Sequence, residues 1–128
     1  MQLGNFSVSL NVKNLAASRS FYEKLGFRNV GGQQERRYLI MQNGTTTIGL
    51  FEGMIPSNFL TFNPGWDHTC ATVPGFTDIR DLQREMQARG LALTTTADPA
   101  SNGPASLMLA DPDGNVILLD QHVPRPTP

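Results

Sequence analysis

Apolar and polar side chains alternate through residues 6–12, near the start of the chain. The apolar positions are Phe6, Val8, Leu10 and Val12, and the polar positions between them are Ser7, Ser9 and Asn11. A period of two residues is that of a β-strand, because successive side chains of a strand point to opposite faces of the sheet. We therefore predict a strand with one apolar face and one polar face.

The following segment changes to a helical period. Its periodic positions are Leu15, Ser18, Phe21, Tyr22 and Leu25. This spacing predicts an amphipathic helix that begins near Asn14, and Gly26 is a typical residue for its C-terminal end. Short strand candidates follow at residues 27–30, 38–41 and 45–51. Asn43-Gly44 predicts a hairpin between the last two.

The same order of elements recurs in the second half of the chain. Residues 67–73 alternate, residues 76–89 have helical spacing, Gly90 ends that run, and strand candidates follow at residues 91–95, 106–110 and 116–120. We predict one domain over residues 1–128 with an α+β fold of two tandem βαβββ modules. The first module covers about residues 5–52 and the second about residues 66–122. Residues 53–65, rich in proline and glycine, are interpreted as a linker.

Composition excludes several classes of partner. The chain has 128 residues, enough for one domain with a core, and a net charge of −1 without charged blocks. Nucleic acid and membrane partners are not expected, and the N-terminus lacks the pattern of a signal peptide, so we expect a cytoplasmic protein. Cys70 is the only cysteine, so no internal disulfide can form.

Two motifs at opposite ends of the chain resemble the vicinal oxygen chelate superfamily, which includes glyoxalases, bleomycin-resistance proteins and extradiol dioxygenases. The first is SLNVKNLAASRSFYEKLGF at residues 9–27, and the second is the turn DPDGN at residues 111–115 before the last strand. The resemblance implies a sheet that curls around a cavity. It also implies homodimerisation, since many members complete their cavities across two chains.

Metal ligands of the superfamily project from the first and last strands of each module. The resemblance places these four positions at Ser7, Gly49, His68 and Leu118. Only His68 is a good ligand for a divalent metal, because serine is a poor donor and glycine and leucine offer none. The prediction is therefore a protein without a metal or other cofactor. Isomerase and extradiol dioxygenase chemistry both need ligands or bases that this mapping lacks.

The polar strand faces supply the candidate binding residues. Ser7, Ser9 and Asn11 are predicted on one wall of the cavity, and His68, Cys70 and Thr72 on the other. The predicted ligand-binding residues are Ser7, Ser9, Asn11, Tyr38, Trp66, His68, Cys70 and Leu118. These groups could instead satisfy one another or hold water. His68 is the one candidate general base, although a structural histidine bonded to Asp67 is an equal alternative.

Aromatic and basic residues leave further alternatives open. Trp66 and Phe62 could stack on a flat ligand, or they could pack the linker onto the sheet or onto a second subunit. Arg36 and Arg37 could hold an anionic group, although solvated turn charges are the more common outcome. The apolar linker residues Met54, Ile55, Phe59 and Leu60 predict either a lid or a dimer contact.

The sequence is interpreted as a metal-independent small-molecule-binding protein, homodimeric, with an unidentified ligand. A second hypothesis is a metal-dependent lyase, isomerase or dioxygenase that uses His68 with Glu52, Asp67 or Asp120 after a shift in strand register. A third is a module that only dimerises, with its cavity filled by Phe51, Leu118 and Met41.

Overall fold

Seven strands and two α-helices follow one another along residues 1–127, the part of the chain that the computed structural model describes. The strands are β1 (Asn5–Val12), β2 (Arg28–Gln33), β3 (Tyr38–Asn43), β4 (Thr46–Glu52), β5 (Phe59–Asn63), β6 (Ala105–Ala110) and β7 (Val116–Gln121). The helices are α1 (Leu15–Lys24) and α2 (Ile79–Ala88), and a short 3₁₀ turn covers Gln34–Arg36. No helix in this part of the chain is long and apolar enough to cross a membrane.

The chain forms two compact units, and this α+β architecture confirms the predicted fold class. The first unit is Ser7–Phe59, and the second combines Met1–Phe6 with the chain from Leu60 onward. In the first unit the strand order is β2-β3-β4-β1, where β1 and β4 are parallel and the other pairs antiparallel. In the second unit the order is β5-β7-β6, and β6 and β7 are antiparallel.

Helix α1 covers one face of the first unit's strands. The Asn14 side chain accepts a hydrogen bond from the Ala17 backbone N–H at 3.0 Å, which caps the helix at the predicted start. The core beneath it consists of Leu15, Leu39, Met41, Ile48 and Leu50, with Leu10, Val12, Tyr22 and Phe27 packed against them. Phe21 and Leu25 of the predicted apolar stripe remain exposed. The face of β1 that carries Leu10 and Val12 is therefore the one that meets the helix.

Helix α2 forms the corresponding core of the second unit. Its buried residues pack with those of β6 and β7 in a cluster of Ile79, Leu82, Met86, Leu107, Leu109 and Leu119. Leu3 and Phe62 pack against this cluster, and the Asn5 backbone N–H donates to the Trp66 carbonyl at 3.0 Å. The N-terminal residues thus belong to this unit through both apolar and hydrogen-bonded contacts.

The predicted first strand of the second module at residues 67–73 is wrong. The strand is β5, Phe59–Asn63, which lies inside the segment interpreted as a linker. Residues 67–73 instead form a tight turn, because the Asp67 carboxylate accepts hydrogen bonds from the backbone N–H groups of Thr69 and Ala71 and from the Thr69 hydroxyl. Side-chain acceptors of this kind compete with the regular ladder of a sheet.

The predicted strand at residues 91–95 is also wrong. An isolated bridge between Thr95 and Met108, with a hydrogen bond from the Thr94 N–H to the Met108 carbonyl at 2.7 Å, joins this segment to β6. The chain that follows is held by α2, since the buried Gln83 amide donates to the Ala97 carbonyl at 3.0 Å and accepts from the Ala97 N–H at 2.7 Å. The pairing of this loop with a helix side chain takes the place of a longer strand.

Candidate functional site

The side of the first unit opposite α1 carries the polar residues of β1. Strand register places nine residues of β1, β3 and β4 there, a set that we call the helix-free face, and it puts Arg28 and Gln33 of β2 on the same side. Its members are Ser7, Ser9 and Asn11 of β1, Tyr38, Ile40 and Gln42 of β3, and Thr47, Gly49 and Phe51 of β4. The alternation in the sequence therefore placed the three β1 residues on the correct side of the strand.

Hydrogen-bonding groups occupy one end of the helix-free face. The Gln42 amide donates to the Thr47 hydroxyl at 3.1 Å, and Ser9 and Thr47 are buried. Asn11 at the other end of β1 is exposed, and its backbone N–H donates to the Asn58 side-chain oxygen at 2.8 Å. The face thus offers amide and hydroxyl groups in a partly enclosed surface.

Two aromatic rings form the apolar part of this face. Tyr38 and Phe51 are stacked with ring centroids 5.9 Å apart and planes 5° from parallel. The Phe51 ring also lies against Gly49, where an added Cβ would come within 2.6 Å of Phe51 Cε2. The absence of a side chain at Gly49 therefore makes room for the ring.

Phe51, Leu118 and Met41, which the third hypothesis placed in the cavity, do not all lie on the helix-free face. Met41 is fully buried in the core beneath α1, on the opposite side of β3 from Tyr38. Leu118 belongs to the second unit, where it alternates with the core residue Leu119 on β7. Of the three, only Phe51 fills space on the helix-free face.

His68 and Cys70 lie on the turn of residues 67–73 instead of a strand, so parity does not direct them toward a cavity. Cys70 is exposed, in the left-handed region with φ 62°. Loss of solvation, with a contribution from the Asp67 charge, raises the pKa of the Cys70 thiol. Hydrogen bonds from Thr69 and then Ala71 lower the pKa of Asp67 and stabilise its carboxylate. The thiol is therefore poorly activated as a nucleophile, and ligand binding by His68 and Cys70 stays a prediction.

A cluster that the sequence did not indicate surrounds Trp66 in the second unit. The indole ring stacks on the His122 imidazole, with centroids 4.5 Å apart and planes 4° from parallel. His122 Nε2 lies 3.1 Å from Asp120 Oδ2, and this hydrogen bond raises the pKa of His122. Because His122 follows the end of β7, the sequence pattern did not predict its contact with Trp66. The spacing of two residues from Asp120 was the one available signal.

A separate open depression of about 610 Å³ lies at the other edge of the first unit. Its lining residues are Arg19, Asn29, Gly32, Gln33, Gln34 and Glu35. None of the predicted binding residues lines it, and the lining is mostly polar. The depression and the helix-free face are therefore distinct surfaces.

A family model described as Glyoxalase/Bleomycin resistance protein/Dioxygenase superfamily matches residues 6–119. The chain belongs to this superfamily. The match covers β1 through most of β7, so the resemblance carried by the two terminal motifs extends over both units. A comparison with curated protein sequences finds no match.

Solved structures of superfamily members share the fold. A member from Vibrio splendidus 12B01 is 18% identical, with 91% of this chain and 97% of that chain covered and a TM-score of 0.59. Methylmalonyl-CoA epimerase from Streptomyces coelicolor is 12% identical, with coverage of 94% and 99% and a TM-score of 0.58. An extradiol ring-cleaving dioxygenase from B. fuscum is 17% identical over 97% of this chain and 33% of that chain, with a TM-score of 0.54.

The four positions that the sequence resemblance assigned to metal ligands do not supply a donor set for a divalent cation, and His68 was assigned on a first strand at residues 67–73 that the structure instead has at β5. Ser7 is a poor metal ligand, and Leu118 has no donor atom in its side chain. Gly49 also has none, and the Phe51 ring lies against it. His68 is the one good donor, and it lies on a turn. Within residues 1–127, there is no group of three or more His, Cys, Asp or Glu side chains that could hold a metal ion.

Proposed function

We propose that this superfamily member binds a small organic molecule on the helix-free face of its first unit, without a metal ion. The main support is that this face combines hydroxyl and amide groups with the stacked Tyr38–Phe51 pair. The polar groups belong to Ser7, Ser9, Asn11 and Gln42. Binding sites for small molecules typically combine apolar and aromatic surface with a few polar groups that fix orientation.

The chemistry of the same nine residues favours binding over catalysis. They include no carboxylate, imidazole, amine or thiol; the phenol of Tyr38 is the ionisable group among them, and the Arg28 guanidinium of β2 lies on the same side. General acid–base and nucleophilic catalysis need a positioned group of one of those types, with a pKa suited to its task. Ligand binding, in contrast, needs only a complementary surface.

The test is the affinity of a small planar probe for matched variants. Benzamide offers an aromatic ring and an amide, and its binding can be followed by ligand-observed NMR. Tyr38→Leu should weaken benzamide binding because it removes half of the stacked pair. Phe21→Leu is the control, since Phe21 is an exposed aromatic residue on α1. Equal binding to both variants and to the wild type would show that the helix-free face is not the site.

The alternative of a metal-dependent enzyme needs a carboxylate that binds the metal together with His68. Each of the three candidate carboxylates either bonds to other groups or lies on the α1 side of the sheet. Asp67 accepts the hydrogen bonds of its own turn, and Asp120 pairs with His122. Glu52 pairs in register with Val12, on the α1 side of the sheet. These positions argue against the alternative, and the metal content of the purified protein decides it.

We also propose that the protein is a homodimer. Support comes from exposed apolar side chains, of which Met54 is 52% and Leu60 is 37% accessible. Exposed apolar side chains of this kind are commonly covered by a partner. Sedimentation equilibrium should give twice the 14.0 kDa chain mass. A monomer mass that persists at high protein concentration would contradict the dimer.

A further inference from the structure

The Arg37 backbone is fixed in an uncommon conformation beside the aromatic pair. Its φ of 69° and ψ of 24° lie in the left-handed region, which side chains other than glycine rarely adopt. The Arg37 N–H donates to the Gln34 carbonyl at 3.0 Å, and the Arg37 carbonyl accepts from the Glu52 N–H at 2.9 Å. The first bond closes the 3₁₀ turn, and the second joins the start of β3 to the end of β4.

The Arg37 side chain turns toward the end of β4. Its Nη2 atom lies 3.5 Å from the point where a Cβ on Gly53 would be, so the guanidinium is beside Gly53. Within residues 1–127 no carboxylate forms an ion pair with Arg37, although five other arginines pair with carboxylates: Arg19, Arg80, Arg84, Arg89 and Arg125. The guanidinium is thus available to an anionic group.

Register places this cation at the aromatic end of the helix-free face. Tyr38 follows Arg37 and pairs with Phe51, and Gly53 lies two residues beyond Phe51. The rings and the guanidinium therefore lie toward the same end of the β3–β4 pair. A flat molecule on the rings could place an acidic substituent against the arginine.

Charges at this end of the sheet favour an anion. Lys13 directly follows Val12, which pairs with Glu52 in the parallel β1–β4 ladder, and Arg36 precedes Arg37. The nearby carboxylates are Glu35 of the 3₁₀ turn and Glu52, and Glu52 belongs to the α1 side of the sheet. Three cations thus stand against two carboxylates, one of which faces away.

We propose that the ligand class of the helix-free face is a planar aromatic carboxylic acid. This inference rests on the proposed function, because it uses the same face as the binding site. The ring lies on the Tyr38–Phe51 pair, and the carboxylate is held by the Arg37 guanidinium. A planar guanidinium matches a carboxylate with two parallel hydrogen bonds, which is why arginine suits this role better than lysine.

The test compares benzoate with benzamide, two probes of the same shape that differ in charge. The wild type should bind benzoate about tenfold more tightly than benzamide, the gain typical of one charge-assisted contact. Arg37→Gln should abolish that preference by weakening benzoate binding far more than benzamide binding. Arg36→Gln, one residue earlier in the chain, is the matched control and should keep the preference.

A second variant separates loss of the ligand contact from damage to the fold. Arg37→Gly removes the guanidinium and places at this φ the residue that tolerates it best. Its melting temperature should equal or exceed that of the wild type, while the benzoate preference is lost. Retention of the preference in Arg37→Gly or Arg37→Gln would overturn the inference.

The two proposals fail in different ways. Equal affinity for benzoate and benzamide, with both weakened by Tyr38→Leu, would overturn the acid-binding inference and support the binding face. Absence of binding of either probe, at concentrations where weak ligands are detected, would contradict both proposals.

Discussion

At the scale of single residues, the contact between Gly49 and Phe51 decides what the helix-free face can do. The position aligned with a metal ligand has no side chain, and an aromatic ring takes its space. A carboxylate or imidazole at residue 49 would compete with that ring. Residue 49 as glycine therefore both lacks a metal donor and leaves space for the Phe51 ring.

This contact predicts the effect of the smallest possible substitution. Gly49→Ala should lower the free energy of unfolding by about 1–3 kcal/mol, because the new Cβ overlaps Phe51 and cores tolerate overpacking poorly. Urea denaturation measures the change. Gly103→Ala is the control, since a Cβ at Gly103 meets nothing within 4 Å. In a Phe51→Leu background the cost of Gly49→Ala should fall, and an unchanged cost would show that the ring is not its cause.

The His122–Asp120 pair predicts a dependence on pH. The hydrogen bond with Asp120 raises the pKa of His122 above the ordinary 6.5, so the pair's stabilisation is complete below pH 6.5 and lost as pH rises through the raised value. Both side chains are partly exposed, which limits the effect to about 1 kcal/mol or less. Asp120→Asn should return the pKa of His122 toward 6.5 in an NMR titration. An unaltered titration curve would contradict the assigned partner.

Several residue-level features could be predicted from the sequence, and others could not. The alternation from Phe6 to Val12 placed Ser7, Ser9 and Asn11 on the helix-free face, because strand parity is a local property. The stacking of Trp66 on His122 depends on residues 56 positions apart and leaves no local pattern. The same holds for Arg37, whose backbone carbonyl is hydrogen-bonded to the distant Glu52 N–H.

At the scale of elements, a buried ionic network anchors helix α2. Asp78 caps the helix, and Arg80, fully buried, donates to its carboxylate at 3.0 Å. The side-chain amide of Gln121, at the end of β7, also donates to Asp78 at 2.8 Å and accepts from the Ile79 N–H at 2.7 Å. The end of β7 is thereby joined to the start of α2.

Removal of the carboxylate should destabilise the second unit strongly. Asp78→Asn leaves the Arg80 charge buried without its ionic partner, which costs about 3–5 kcal/mol in comparable networks. Asp81→Asn, whose exposed carboxylate pairs with Arg84, should change stability by less than about 1 kcal/mol. Thermal denaturation of both variants provides the comparison. Similar small losses in the two variants would show that the network does not hold the helix.

The same network predicts the response to acid. Burial would raise the pKa of Asp78, but hydrogen bonds from Gln121 and Arg80 outweigh burial and hold it below the ordinary 3.8. A depressed pKa means that the contribution of Asp78 is present above pH 3.8 and is lost as pH falls through the lowered value. The free energy of unfolding should therefore fall in that acidic range for the wild type, and less so for Asp78→Asn.

Elements of the first unit were easier to predict than those of the second. Asn14, Gly26 and Asn43-Gly44 mark the ends of α1 and the β3–β4 hairpin with local signals, and the structure follows them. Residues 67–73 alternate as a strand would, yet the Asp67 turn prevails there. β5 was missed because Pro56 and Pro64 on either side gave its segment the composition of a linker.

At the scale of the whole molecule, superfamily membership and ligand chemistry point in different directions. The fold is shared with structures that include an epimerase and an extradiol dioxygenase. Fold alone is a weak guide to function, because unrelated activities occupy the same architecture. The residues at Ser7, Gly49, His68 and Leu118 are a more direct guide, and they do not provide a metal-binding set.

Metal content follows from that donor set. Protein purified without chelators and dialysed should contain well below one equivalent of zinc, nickel, manganese or iron per chain, as measured by plasma mass spectrometry. His68→Ala should leave that trace unchanged. One tightly held equivalent that His68→Ala removes would support the metal-dependent alternative.

The most direct measurement of the central claim is a ¹⁵N–¹H NMR titration of metal-stripped protein with benzamide and benzoate in the presence of a chelator. Metal-free binding on the helix-free face predicts chemical-shift changes concentrated in β1, β3 and β4, around Asn11, Tyr38 and Phe51. Shifts that appear only after a divalent metal is added, or that cluster around His68 or the Arg19 depression instead, would contradict it.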